Sequence, residues 1–140
     1  MDILKEAKEF GLAFVFAVLF LNVLAFLVNT NMPLMSVYSG SMLPILHRGD
    51  MIFLVGATEP KVGDIIVYEF KKDYPIVHRI VEIRDGGYIM KGDANPVTDQ
   101  QYFGTPPVTK SQVKGKVILG APMLGYPKLA LDYIVSLFKQ

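Results

Sequence analysis

Nineteen consecutive residues, Phe10 to Val28, carry no charge and a single amide, Asn22. Coiled as a helix, the run spans roughly 28 Å, close to the ~30 Å hydrocarbon thickness of a bilayer. A helix satisfies its own backbone hydrogen bonds, so this segment crosses lipid without partners. It exceeds the apolar region of a secretory leader, it follows the mixed-charge stretch 1–9, and Asn29-Thr30-Asn31-Met32-Pro33 lacks a small-x-small cleavage pattern. A retained anchor is therefore expected, ahead of a cleaved leader or a buried core helix. Lys5 and Lys8 precede the span, and the first basic residue after it is Arg48, which favours a cytoplasmic N-terminus with the remainder outside the cytoplasm. The lipid bilayer is thus the first expected partner.

The 112 residues after Val28 are enough for one further domain. Met51–Val55, Ile65–Phe70 and Val113–Leu119 read as strands from their β-branched and aromatic content. Ile76–Ile83 and Tyr88–Lys91 read as a hairpin, because Asp85-Gly86-Gly87 supplies residues tolerant of positive φ. After Gly125, Pro127 suits a first helical position, and Lys128, Asp132, Ser136 and Lys139 recur at helical spacing among apolar residues. This segment is too short to span a bilayer; it would lie on the membrane, pack on the domain or dock a partner. The expected class is mainly β: a small antiparallel domain with an N-terminal transmembrane helix and a C-terminal amphipathic helix. The boundaries read as 1–9 cytoplasmic, 10–28 anchor, 29–126 extracytoplasmic β domain and 127–140 helix.

Composition narrows the chemistry. A net charge of +1, without clustered basic residues, gives no footprint for nucleic acid. There is no cysteine and there are only two histidines, so thiolate metal sites, cysteine nucleophiles and three-histidine metal sites are excluded. No metal or organic cofactor is expected. Few candidates remain for chemistry near neutral pH, and a serine hydroxyl among them needs a neighbouring base to take its proton. Ser39-Gly40-Ser41-Met42-Leu43-Pro44 is the most unusual local pattern, with a permissive glycine between two hydroxyls. His78, in a strand-like run, is the candidate base; His47, in a polar stretch ending Arg48-Gly49-Asp50, reads as a solvated loop residue. Lys91-Gly92-Asp93 continuing to Asp99 offers two carboxylates that could orient an imidazole, on a loop leaving the hairpin that carries His78. Met42, Leu43, Ile45 and Leu46 would either line a groove or fill the core.

Four blocks in order carry a resemblance: Ser39–Pro44 with Gly49-Asp50, Val62–Tyr68, Val77–Val81, and Lys91-Gly92-Asp93 continuing to Asp99. In them the chain resembles the type I signal peptidases of the archaeal and endoplasmic-reticulum branch. The resemblance implies a membrane-bound serine endopeptidase that cleaves signal peptides from exported preproteins through an acyl-enzyme. Ser41 matches the nucleophile and His78 the base. Asp99 matches the orienting carboxylate and Asp93 a second acidic residue supporting the site. The Ser39 hydroxyl and the Ser41 amide match oxyanion donors. Ala94 departs from the asparagine common after Lys-Gly-Asp. Implied partners are preprotein signal peptides and the bilayer, with accessory membrane subunits a further expectation. Three alternatives stay open at this point: a specialised maturation protease of the same fold, a non-catalytic membrane-tethered β module, and a lysine base such as Lys91 in place of His78.

Overall fold

The computed structural model describes residues 2–71 and 74–138. Helix α1 (Ile3–Leu27) begins seven positions before the uncharged run, taking in Lys5, Glu6, Lys8 and Glu9, and none of its residues is buried. It is the one helix among the described residues long and apolar enough to cross a membrane. Six strands follow: β1 (Leu34–Ser36), β2 (Met51–Val55), β3 (Ile65–Lys71), β4 (Tyr74–Arg84), β5 (Gly87–Lys91) and β6 (Val113–Ala121). Two further helices are α2 (Asp99–Phe103) and α3 (Tyr126–Leu137).

All pairings are antiparallel, and the strand order is β1-β2-β6-β3-β4-β5. The mainly β architecture read from the sequence is the observed one. The β4–β5 hairpin turns where expected, with Asp85 at φ 52° and Gly86 at φ 73°, the left-handed pair that suits a tight two-residue loop. Strand β3 lies in the middle and buries both faces. Val67 joins a core with Val37, Met42, Ile52, Leu54 and Val77 on one side. Ile66 and Tyr68 join Ile80, Tyr88, Met90 and Val108 on the other. That explains the apolar run Ile65–Tyr68 at its start, since a strand covered on one face would alternate.

Strand β4 is only half covered. Its first part pairs with β3 alone, while β5 reaches no further back than Arg79, opposite Lys91. Among the described residues, the second edge of 75–78 has no strand beside it.

The anchor joins the domain at the end of β2, where the Gly56 amide donates to the Val28 carbonyl at 2.7 Å. Helix α3 is attached near the other end of β2, since Met51 pairs with Ala121. It turns its polar stripe toward the domain: Lys128 donates to Asp132 at 2.7 Å and to the Tyr38 hydroxyl at 3.3 Å, and Tyr38 donates to Asp132. Leu131, Ile134, Leu137 and Phe138 stay exposed. Lys139, the fourth polar position of the sequence pattern, lies outside the described residues.

Candidate active site

Ser41 sits in the loop between β1 and β2, held by a side chain next to it. Met42 is fully buried in the core beneath this loop, and Leu46 is buried with it, whereas Leu43 and Ile45 are exposed. The four apolar residues beside Ser41 therefore divide, two into the core and two outward. Backbone bonds from Leu43 to Gly40 and from Leu46 to Met42 tighten the loop.

His78 comes from the half-covered part of β4. It faces Ile66 across the sheet, so its imidazole lies on the same face as Ile66 and Tyr68. Asp99 is the first residue of α2, whose start is fixed by a reciprocal capping box between Thr98 and Gln101. Gly104, at φ 64°, closes the helix in the left-handed conformation.

The three side chains form an unbroken line. Ser41 Oγ is 2.9 Å from His78 Nε2, and His78 Nδ1 is 2.6 Å from Asp99 Oδ2. His78 is 6% exposed and Asp99 3%. An ionised carboxylate only accepts, so Nδ1 carries the hydrogen and donates it to Asp99. Nε2 is then left with a lone pair for the Ser41 hydroxyl, the tautomer a base needs. Ser39 Oγ stands 3.1 Å from Ser41 Oγ.

Asp93 is placed elsewhere. It accepts two hydrogen bonds from Arg79, from Nε at 2.8 Å and Nη2 at 2.7 Å, while Nη1 donates to the Gly63 carbonyl at 2.7 Å. The pair clamps the 92–95 loop onto β4. From that loop the Ala94 amide donates to the Ser41 carbonyl at 2.9 Å. The bond uses backbone atoms only, so alanine serves here where the resemblance leads one to expect asparagine. Gly92 has no room for a side chain: a Cβ would lie 2.6 Å from the Ser41 carbonyl oxygen and 2.9 Å from His78 Nε2. His47 remains a solvent-facing loop residue, with its side chain 63% exposed.

The hydrogen bonds from Arg79, only partly opposed by burial, hold the Asp93 carboxyl below its ordinary range. A depressed folded-state value contributes stability that is present above about pH 4 and lost as the pH falls through the folded value. The pair is partly exposed, so its worth is about 1 kcal/mol at most. Asp93→Asn is expected to lower the thermal midpoint by about 2–4 °C near neutral pH. That deficit should shrink as the pH falls below about 4 and through the depressed folded-state value, as read by unfolding in detergent; a deficit independent of pH would refute the assignment.

Two residues of this region have no role in the sequence analysis. Tyr68, 1% exposed, donates its hydroxyl to Asp99 Oδ2 at 2.7 Å. Arg79 falls inside the block Val77–Val81, where nothing local distinguishes it from an ordinary surface base. The pattern Thr98-x-x-Gln101 followed by Gly104 is a readable signal for α2, and hence for where Asp99 sits.

A cleft of about 250 Å³ opens beside Ser41, lined by Met35, Tyr38, Ser39, Ser41, Ile76 and His78 among others. A larger cavity of about 620 Å³ lies where the anchor meets the domain, between Asn22, Asn29, Met32 and Lys114, and none of the three aligned side chains lines it.

Comparison with known proteins adds the family. Residues 7–83 match the family model described as signal peptidase, peptidase S26. The match takes in Ser41 and His78 and stops short of Asp93 and Asp99. The signal peptidase complex catalytic subunit SEC11 of Candida albicans is 36% identical over 148 residues, covering 94% of this chain and 87% of that protein. Its counterpart in Scheffersomyces stipitis is 36% identical over 142 residues, covering 90% and 83%. That of Leptosphaeria maculans is 37% identical over 114 residues, covering 74% of this chain and 66% of the relative's length. With the sheet, the apolar helix and the serine–histidine pair already in place, the extent of these matches leaves one reading: the chain belongs to the signal peptidase family, peptidase S26.

Proposed function

We propose that Ser41, His78 and Asp99 carry out the signal-peptide cleavage that family membership assigns to this chain, by acyl transfer. The observation that carries this reading is the continuous line from Ser41 Oγ through His78 to Asp99, with both links within hydrogen-bond distance. His78 Nε2 takes the Ser41 proton as Oγ bonds to the scissile carbonyl carbon. The same nitrogen returns that proton to the departing amine as the peptide C–N bond breaks. Water, deprotonated by His78, then splits the ester and regenerates the hydroxyl. Asp99 keeps the imidazole in the useful tautomer and offsets its transient charge. Asp93 acts indirectly, by holding the loop that bonds to the Ser41 carbonyl.

The substrate is accommodated as an extended strand. The uncovered edge of β4 at 75–78 borders the cleft beside Ser41, and it offers backbone acceptors, and a donor beyond Pro75, to a peptide laid along it. Alternate side chains of that peptide then point into the shallow cleft. The Ser39 hydroxyl and the Ser41 amide stabilise the oxyanion. Ser39→Ala is expected to lower kcat about 10²-fold with KM little changed, measured on a model preprotein. A parent-like kcat removes Ser39 from this role.

For location, α1 is read as a single membrane span with the β domain on the extracytoplasmic side, from the placement of Lys5 and Lys8. External protease acting on sealed right-side-out vesicles should digest the domain; full protection reverses the orientation. The boundaries proposed are those read from the sequence: 1–9 cytoplasmic, 10–28 in the membrane, 29–126 the catalytic domain and 127–140 the helix. The SEC11 relatives are named as catalytic subunits of a complex, and we extend to this chain the expectation of accessory membrane subunits. General signal peptidase activity is tested with the purified full chain in detergent on a panel of unrelated preproteins. Cleavage of several supports it, whereas cleavage of a single one identifies a specialised maturation protease.

A further inference from the structure

The block Val62–Tyr68 ends on a tyrosine to which the reaction as described gives no task. Its placement is specific. Ile66 faces His78 across the β3–β4 ladder and Tyr68 faces Ile76, so Tyr68 and His78 are diagonal neighbours on one face of the sheet. Both reach the same atom. The Tyr68 hydroxyl donates to Asp99 Oδ2 at 2.7 Å, and His78 Nδ1 lies 2.6 Å from that oxygen. Core packing alone would account for the ring, which sits among Ile66, Ile80, Met90 and Val108. It does not account for a phenol aimed at the one carboxylate that touches the imidazole.

We propose that Tyr68 is a positioning residue of the proton relay: its hydroxyl fixes the Asp99 carboxylate with Oδ2 toward His78 and disperses part of that oxygen's charge. The role rests on the acyl-transfer reading above. Burial, reinforced by the hydrogen bond and charge of Asp99, pushes the Tyr68 phenol above its ordinary range. It therefore stays a donor at any working pH. Two groups face Asp99: Tyr68 from β3 and His78 from β4. Tyr102 of α2 lines the same cavity as Asp99 and His78, while Asp93, paired with Arg79, feels the charges of both His78 and Lys91. Tyr68 is the one of these, besides His78, that donates to Asp99.

The test is cleavage of a model preprotein by the full chain in detergent, across pH. The proteins compared are the parent, Tyr68→Phe, Asp99→Asn, the double variant of these two, and Ser41→Ala. Tyr68→Phe keeps the ring and loses the donor. Its kcat is expected to fall about 10–100-fold, the range for a hydrogen bond to a charged group, with KM unchanged. The acid limb of its kcat profile should move to higher pH, because a carboxylate with one donor fewer holds the imidazolium more tightly. In the Asp99→Asn background the same change should add nothing. A parent-like kcat and acid limb overturn the role, as does an equal fold-loss in both backgrounds. If Tyr68→Phe unfolds, 3-fluorotyrosine placed at position 68 alone retains the shape with a stronger donor. It should move the acid limb to lower pH; no movement overturns the role. Ser41→Ala separates the two levels. If it cleaves like the parent, acyl transfer itself falls; if it is inert while Tyr68→Phe is parent-like, only the positioning role falls.

Discussion

Ser41→Ala is expected to cut turnover on the order of 10⁴–10⁶-fold, with substrate binding retained. The methyl group leaves the loop unchanged, because the loop is held by the buried Met42 and by the Ala94–Ser41 backbone bond rather than by the hydroxyl. What disappears is the hydroxyl that stands 2.9 Å from His78 Nε2. His78→Ala removes the proton acceptor from the same step and should cost a similar factor. The two losses are not additive: a nucleophile without its base and a base without its nucleophile are each already inert. The Ser41→Ala/His78→Ala double variant is therefore expected to match the worse single variant. Single-turnover cleavage of a labelled preprotein reads all three, and a product of the two single losses would show that the side chains act separately.

Asp99→Asn should cost about 10⁴-fold in kcat while leaving the fold intact. The carboxamide occupies the same space, so Tyr68 and the α2 cap keep their places. The asparagine NH₂ group facing Nδ1 would favour the imidazole tautomer with its hydrogen on Nε2, pointing at Ser41 instead of accepting from it. Asp93→Asn is the natural control. Asp93 meets Arg79 and not the imidazole, so its loss acts through the loop and should reduce cleavage far less. Equal effects from the two asparagine variants, measured with the same preprotein, would mean that His78 is not oriented by Asp99.

Local pattern was enough for the elements whose causes are local. The uncharged run gave α1, and Asp85-Gly86 gave the β4–β5 turn, since a residue pair at positive φ is written in the residues themselves. Strand β1 was not seen because three residues carry too little periodicity to separate a strand from a loop. Helix α2 was missed although its capping box was legible, because five residues bury too little to show a helical face. At the site, Ser41, His78 and Asp99 were readable as residue types in an order. Their meeting depends on the β3–β4 register and on the fold of the 92–98 loop, both long-range properties. The same holds for Tyr68: that it lies diagonal to His78 follows from pairing Ile66 with His78, and no window of sequence contains that fact.

The bare stretch of β4 has a consequence for what this enzyme can accept. If a peptide pairs with that edge as proposed, a target already coiled or folded at the point of scission is rejected, however suitable its side chains. Export and cutting would then be coupled in time: the bond would have to be presented while the emerging chain is still slack, and a precursor folded up to its leader would escape processing.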